Sequence, residues 1–107
     1  MTVHLNKVVL LGEVVDPPIV MKRTRGLRHH KVVMIKTCGR GRVEDQIHKV
    51  VVMKKTTPWF YKLQSGMRVY MEGSITYRQW TDDKGFVNQI PEIIIGDYDV
   101  FSILDRN

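Results

Sequence analysis

The longest predicted strand runs from Met67 to Trp80 and alternates between apolar and polar positions. Its two parities are Val69, Met71, Gly73 and Ile75 on one side, and Thr76, Arg78 and Trp80 on the other. Because successive side chains of a strand point to opposite faces, Arg78 and Trp80 are expected to point away from the apolar set. The turn residues 82–85 follow, and a second strand is expected from Phe86. The pattern predicts a hairpin that carries a cation beside an indole.

Further strands are predicted on both sides of this hairpin. They cover residues 6–15, 31–37 and 46–54 before it, and residues 86–95 continuing to 104 after it. Gly12 indicates a bulge or bend in the first strand. Pro17 and Pro18 interrupt that strand because neither residue can donate to a ladder. A short resumption of pairing is expected at residues 19–21, and a basic hairpin loop at residues 22–30.

One short helix is predicted between the third and fourth strands. Thr57 would cap it, Pro58 fits the first helical position, and Gly66 would end it. Its apolar residues Trp59, Phe60 and Leu63 would cover one end of a barrel. The resulting order, β-β-β-α-β-β, is that of the OB-fold, a five-stranded Greek-key barrel that binds oligonucleotides. We therefore expect an all-β chain that forms a single domain over residues 1–107.

Positive charge is concentrated in one segment. The 107 residues contain 17 Lys and Arg against 11 Asp and Glu, which gives a formal net charge of +6. Eight of the cations, and no acidic residue, lie between positions 22 and 42: Lys22, Arg23, Arg25, Arg28, Lys31, Lys36, Arg40 and Arg42. Such a cluster favours a polyanionic partner, whose phosphates release counterions on binding. A solvated loop that only aids solubility is the alternative.

A flat base on a phosphodiester is the ligand class that suits an exposed Arg78 beside an exposed Trp80. Together with Lys49 and the basic segment, these two residues complete the predicted nucleic-acid-binding set. The alternative for Trp80 is a packing role at the hydrophobic edge near the turn.

Other classes of function find little support in the chain. No apolar run approaches the ~18 residues of a membrane span, and Cys38 is the single cysteine. The four histidines, His4, His29, His30 and His48, form no recognisable catalytic or metal-binding motif, and no phosphate-binding loop is present. We expect an intracellular protein that is not an enzyme and that needs neither metal nor cofactor.

Three blocks of sequence resemble the SSB family, the bacterial and mitochondrial single-stranded DNA-binding proteins. These blocks are residues 5–12, residues 48–52, and residues 66–73 running on to Arg78, Trp80 and the turn at 82–85. The resemblance implies an OB-fold, single-strand binding, and a mitochondrial or bacterial-cytoplasmic location. It also implies oligomerisation through the first strand, with Lys7, Val9, Leu11 and Glu13 at the interface. Homo-oligomers and hetero-oligomers with a similar subunit both stay open.

The chain departs from the family at positions where stacking aromatics are expected. Glycine and arginine stand near Gly41, and Ile47 and Met53 replace two further aromatics. Each lost stack removes about 1–3 kcal/mol of base-binding free energy. The alternative is therefore an OB-fold assembly subunit of a mitochondrial RNA-editing complex, in which RNA contact is secondary. The choice between DNA and RNA stays open at this point.

Overall fold

A computed structural model of the protein describes residues 4–16, 18–22, 29–39, 41 and 44–104. Within these residues the chain forms seven strands and a short 3-10 helix (Pro58–Lys62). The strands are β1 (Val8–Val14), β2 (Ile19–Lys22), β3 (His29–Thr37), β4 (Gln46–Val52), β5 (Arg68–Thr81), β6 (Val87–Ile95) and β7 (Val100–Ile103). The basic hairpin loop was predicted over residues 22–30, but Lys22 belongs to β2 and His29 and His30 belong to β3. Residues 23–28 lie outside the described residues.

Five of the strands close into a ring in the order β1-β3-β4-β6-β5, and β5 pairs back onto β1. All of these pairings are antiparallel except β4 with β6, where Val50 lies opposite Ile93. β2 adds to β3, and β7 adds to β5. The predicted all-β OB-fold barrel is confirmed.

The ring closes where β1 and β5 change partners, and a glycine lies at each change. β1 pairs with β5 from Val8 to Glu13 and with β3 at Glu13 and Val14, just after Gly12. β5 pairs with β1 as far as Gly73 and with β6 from Ser74 onward. A Cβ atom on Gly12 or Gly73 would overlap a backbone carbonyl oxygen, that of Lys36 or of Ile94 respectively. Both positions therefore require glycine because the neighbouring backbone approaches too closely for any side chain.

The barrel interior is filled by aliphatic side chains from all five strands of the ring. Ile35, Val50, Met71 and Ile95 are among the fully buried residues. Phe60 of the 3-10 helix and Leu63 after it are also buried and close one end of the core. Trp59 lies over this end with its ring stacked on Phe101 at a centroid distance of 4.6 Å. The predicted apolar plug is thus confirmed.

Two local predictions need correction. The helix is a 3-10 helix that ends at Lys62, well before Gly66, and Thr57 makes no side-chain cap. Instead the Thr57 hydroxyl accepts a hydrogen bond from the Lys31 ammonium. The last predicted strand is also interrupted, because the Asp99 amide donates to the Gly96 carbonyl and separates β6 from β7.

Replacing Gly73 with alanine should destabilise the barrel by about 3 kcal/mol or more, because the added methyl group overlaps backbone that cannot rotate away. Urea denaturation measures the change in the free energy of unfolding.

Gly96→Ala is the matched control, because its Cβ would meet Asp99 Oδ2 at 3.5 Å, an ordinary contact distance. This control should change stability by less than about 1 kcal/mol. Equal effects of the two substitutions would contradict the role assigned to the crossover at Gly73.

Candidate nucleic-acid interface

Arg78 and Trp80 lie together on the outer face of the β5–β6 hairpin. The register places Arg78 opposite Ile90 and Trp80 opposite Asn88. The guanidinium carbon lies 5.4 Å from the centroid of the indole, within the range of a cation–π interaction. Trp80 keeps 43% of its surface exposed. The sequence prediction that the two side chains share a face is confirmed.

A carboxylate from β6 binds the cations of both neighbouring strands. Glu92 Oε2 lies 2.7 Å from Lys49 Nζ on β4 and 3.4 Å from Arg78 Nε on β5. Glu92 is buried, with 7% of its surface exposed, whereas the Arg78 side chain is 53% exposed. The three charges sum to one positive charge on a surface that also carries the indole. Lys49, Arg78 and Trp80 were predicted to act together, and the structure brings them together.

Glu92 was missed in the sequence interpretation. Its signal was a single acidic residue before the apolar run Ile93, Ile94 and Ile95, at the spacing that puts it on the Arg78 face. A carboxylate next to a buried apolar run requires a partner, because an unpaired buried charge is costly.

The tip of the hairpin is held by Asp82. Its carboxylate accepts hydrogen bonds from the amides of Lys84 and Phe86 and from the side chain of Asn88. The Phe86 amide, followed by Asn88, lowers the pKa of Asp82. Gly85 supplies the positive φ of 84° that the turn needs. This network fixes the end of β5 and with it the position of Trp80.

Of the other predicted cations, the structure describes Lys22, Lys31 and Lys36. Lys36 Nζ forms an ion pair with Glu13 at 2.7 Å, and the hydrogen bond to Glu13 raises the pKa of Lys36. Lys31 has the parity of the core residues and donates to Thr57, so the structure does not bring it to Arg78 and Trp80. Lys22 pairs with His29 through the backbone of β2. The predicted residues Arg23, Arg25, Arg28, Arg40 and Arg42 lie outside the described residues.

Two of the positions where the family resemblance predicts aromatics are occupied by exposed aliphatic side chains. Ile47 is 50% exposed and has the same strand parity as Lys49, and Met53 is 38% exposed just after β4. An aliphatic side chain can contact a base by dispersion but offers no π face for stacking.

The outer side of β1 forms a second surface. Val9 and Leu11 are 53% and 63% exposed. In the described part of the chain, residues 8–12 pair with β5 on one edge and with no strand on the other. Beside them Lys7 forms an ion pair with Glu72 at 3.0 Å, and the Tyr70 hydroxyl donates to the same carboxylate. The hydrogen bond from Tyr70, then that from Lys7, lowers the pKa of Glu72, and the contact with Glu72 raises the pKa of Tyr70.

Comparison with known proteins identifies the family. A model of the single-strand binding protein family matches residues 5–101. The chain belongs to this family. Among solved structures, this SSB-family chain is similar to the Plasmodium falciparum SSB in complex with ssDNA, with 26% identity and a TM-score of 0.78. That alignment covers 98% of this chain and 99% of the other.

A second structure supports the fold. The mitochondrial single-stranded DNA binding protein Rim1 of S. cerevisiae aligns with a TM-score of 0.71 at 12% identity, over 98% of this chain and 100% of the other. SSB-family proteins are non-enzymatic, which agrees with the expectation that this chain is not an enzyme. Among the residues that the structure describes, no group of three or more potential ligand side chains could hold a metal ion. No helix in the described ranges has the length and hydropathy to cross a membrane.

Proposed function

We propose that this chain binds single-stranded DNA on the outer face of β4, β5 and β6. The observation that carries the proposal is the exposed indole of Trp80, with the Arg78 guanidinium 5.4 Å from its centroid and Lys49 on the neighbouring side of Glu92. A base can stack on the indole while the guanidinium contacts the adjoining phosphate. Family membership and the similarity to a structure solved with ssDNA support DNA as the ligand.

The shape of this surface favours unpaired strands. The residues sit on a curved sheet and a projecting hairpin, and the described residues contain no α-helix that could enter a major groove. Stacking on Trp80 also requires a base with a free π face, which a duplex does not offer. RNA binding and a role as an RNA-editing assembly subunit are not supported by the comparisons.

Binding should be tighter to oligo(dT) than to a duplex of the same length, with oligo(U) as the test of DNA against RNA. Fluorescence anisotropy over a salt series gives the dissociation constants, and the logarithm of affinity should fall by about 0.7 per phosphate contact for each decade of salt. Binding to duplex that equals or exceeds binding to oligo(dT) would refute the proposal. Oligo(U) bound more tightly than oligo(dT) would move the proposal from DNA to RNA.

Replacing Trp80 with alanine should weaken oligo(dT) binding by about 1–3 kcal/mol, because it removes the stacking surface. The melting temperature should change by less than about 3 °C, since the side chain lies outside the core. In a Trp59→Phe background, Trp80 is the remaining tryptophan, and its fluorescence should be quenched by bound oligonucleotide.

Trp59→Ala is the control for this experiment. Trp59 stacks on Phe101 and packs against the core. Its loss should therefore lower the melting temperature and leave the affinity of the folded fraction unchanged. The roles assigned to the two residues would be inverted if folded Trp59→Ala protein did not bind and Trp80→Ala unfolded the domain.

Self-association through β1 is a second activity that we propose, and it is compatible with the first. The supporting observations are the exposed side chains of Val9 and Leu11 and the open edge of residues 8–12. Such an edge can add a strand from a second subunit. Linking several weak sites in one oligomer would raise the avidity for a long strand.

Leu11→Glu should lower the molar mass in solution, measured by light scattering, because it places a charge in the proposed interface. Phe86→Glu is the matched control, since Phe86 is 66% exposed, close to the 63% of Leu11, but lies at the tip of the β5–β6 hairpin. A wild-type protein that is already monomeric, or an equal loss of mass in both variants, would contradict the assignment to β1.

A further inference from the structure

The position of Glu92 is unexpected for a surface that binds a polyanion. Its carboxylate lies between two of the cations that would contact phosphate, and it belongs to the same face as Trp80. A negative charge this close to a bound strand lowers the electrostatic attraction, and burial adds a desolvation cost that the two cations must offset.

The two contacts are not equivalent. Lys49 is the closer partner, and only 21% of its side chain is exposed, so the ion pair with Glu92 largely neutralises its charge. Arg78 touches Glu92 through Nε at 3.4 Å and remains 53% exposed. An arginine carries four further N–H donors on its two terminal nitrogens. Arg78 can therefore stay in contact with Glu92 and still offer donors to a phosphate.

Glu92 also restricts the conformation of the Arg78 side chain. Thr76 is directly opposite Glu92 in the register, which places Arg78 on the diagonal, within reach of a long side chain. The ion pair draws the guanidinium toward Glu92 while the cation–π contact holds it beside Trp80. Fewer rotamers are then left to freeze when a strand binds.

We infer that Glu92 is a positioning residue and a built-in counter-charge: it orders Arg78 beside Trp80 and cancels the charge of Lys49, so that the three ionised groups act on a strand as one cation. This inference rests on the proposed single-strand binding. It assigns to Lys49 the role of neutralising Glu92, and to Arg78 the phosphate contact.

Glu92→Gln tests the inference through salt dependence. Removing the counter-charge should raise the number of effective cations by one, so the slope of log affinity against log salt should steepen by about 0.7 on oligo(dT). The ratio of the Glu92→Gln affinity to the wild-type affinity should therefore fall by about 2.6-fold between about 50 and 200 mM salt. Asp97→Asn is the control: it makes the same change in net charge at the β6–β7 turn and keeps the acceptor for the Lys55 amide. It should leave the slope close to that of wild type.

Two further variants keep the test valid if Glu92→Gln folds poorly: Lys49→Met, and Lys49→Met combined with Glu92→Gln. Lys49→Met leaves Glu92 to cancel Arg78, so its slope should be shallower than that of wild type by about 0.7. Lys49→Met with Glu92→Gln removes both members of the closer pair and should return the slope to the wild-type value. A purely structural role for Glu92 would lower the melting temperature of the variants without this ordering of slopes.

The outcomes separate this inference from the proposed function. Wild-type protein that does not bind oligo(dT) would overturn both. The inference alone would be overturned if the wild-type protein bound oligo(dT), Glu92→Gln kept the wild-type slope, and the double variant kept the slope of Lys49→Met.

Discussion

Closure of the ring by β1 and β5 is the constraint on which the rest of the structure depends. Within the ring, each of these strands pairs with one neighbour along its first part and with another along its last part. The change of partner brings backbone against backbone so closely that only hydrogen fits at Gly12 and Gly73. Without the two crossovers, the apolar sides of β3, β4 and β6 would face water instead of the common interior that holds Val50, Met71 and Ile95.

The same geometry creates the candidate site. The first half of β5 belongs to the barrel, where Val69 and Met71 are buried, and its second half pairs with β6 beyond Gly73. There the strand leaves the core, residues 76–81 are exposed, and both faces of the hairpin become available to a ligand. An isolated two-stranded hairpin is marginally stable in water, so its support comes from the barrel at one end and from the Asp82 turn at the other. Arg78 and Trp80 lie between these two anchors.

The order of the predicted elements was sufficient to predict the fold class, and only one face of the first half of β5 is buried, which imposes a period of two on that strand. The parity of Arg78 and Trp80 followed from the same rule. The capping of the helix was mispredicted because Thr57 is well suited to capping by type, whereas its hydroxyl meets Lys31, 26 residues away in sequence. The contact of Glu92 with Lys49 was equally out of reach, since it depends on the parallel pairing of β4 with β6. The contact of Glu92 with Arg78, in contrast, lies within the predicted β5–β6 hairpin. Pairings between distant strands cannot be deduced from local periodicity alone.

The balance between stacking and charge follows from these placements. Ile47 and Met53 present no π face where the family resemblance predicts aromatics, so less of the binding free energy can come from stacking. More of it must then come from cations, yet Glu92 lowers the effective charge at Lys49 and Arg78. A site with fewer stacks and partly cancelled charge would bind each segment of a strand less tightly than a site with the full set of aromatics. Useful occupancy of a long strand then requires several such sites held together, and the exposed edge of β1 offers a physical means of joining them. The proposed single-strand site and the proposed self-association through β1 would then act together on a long strand.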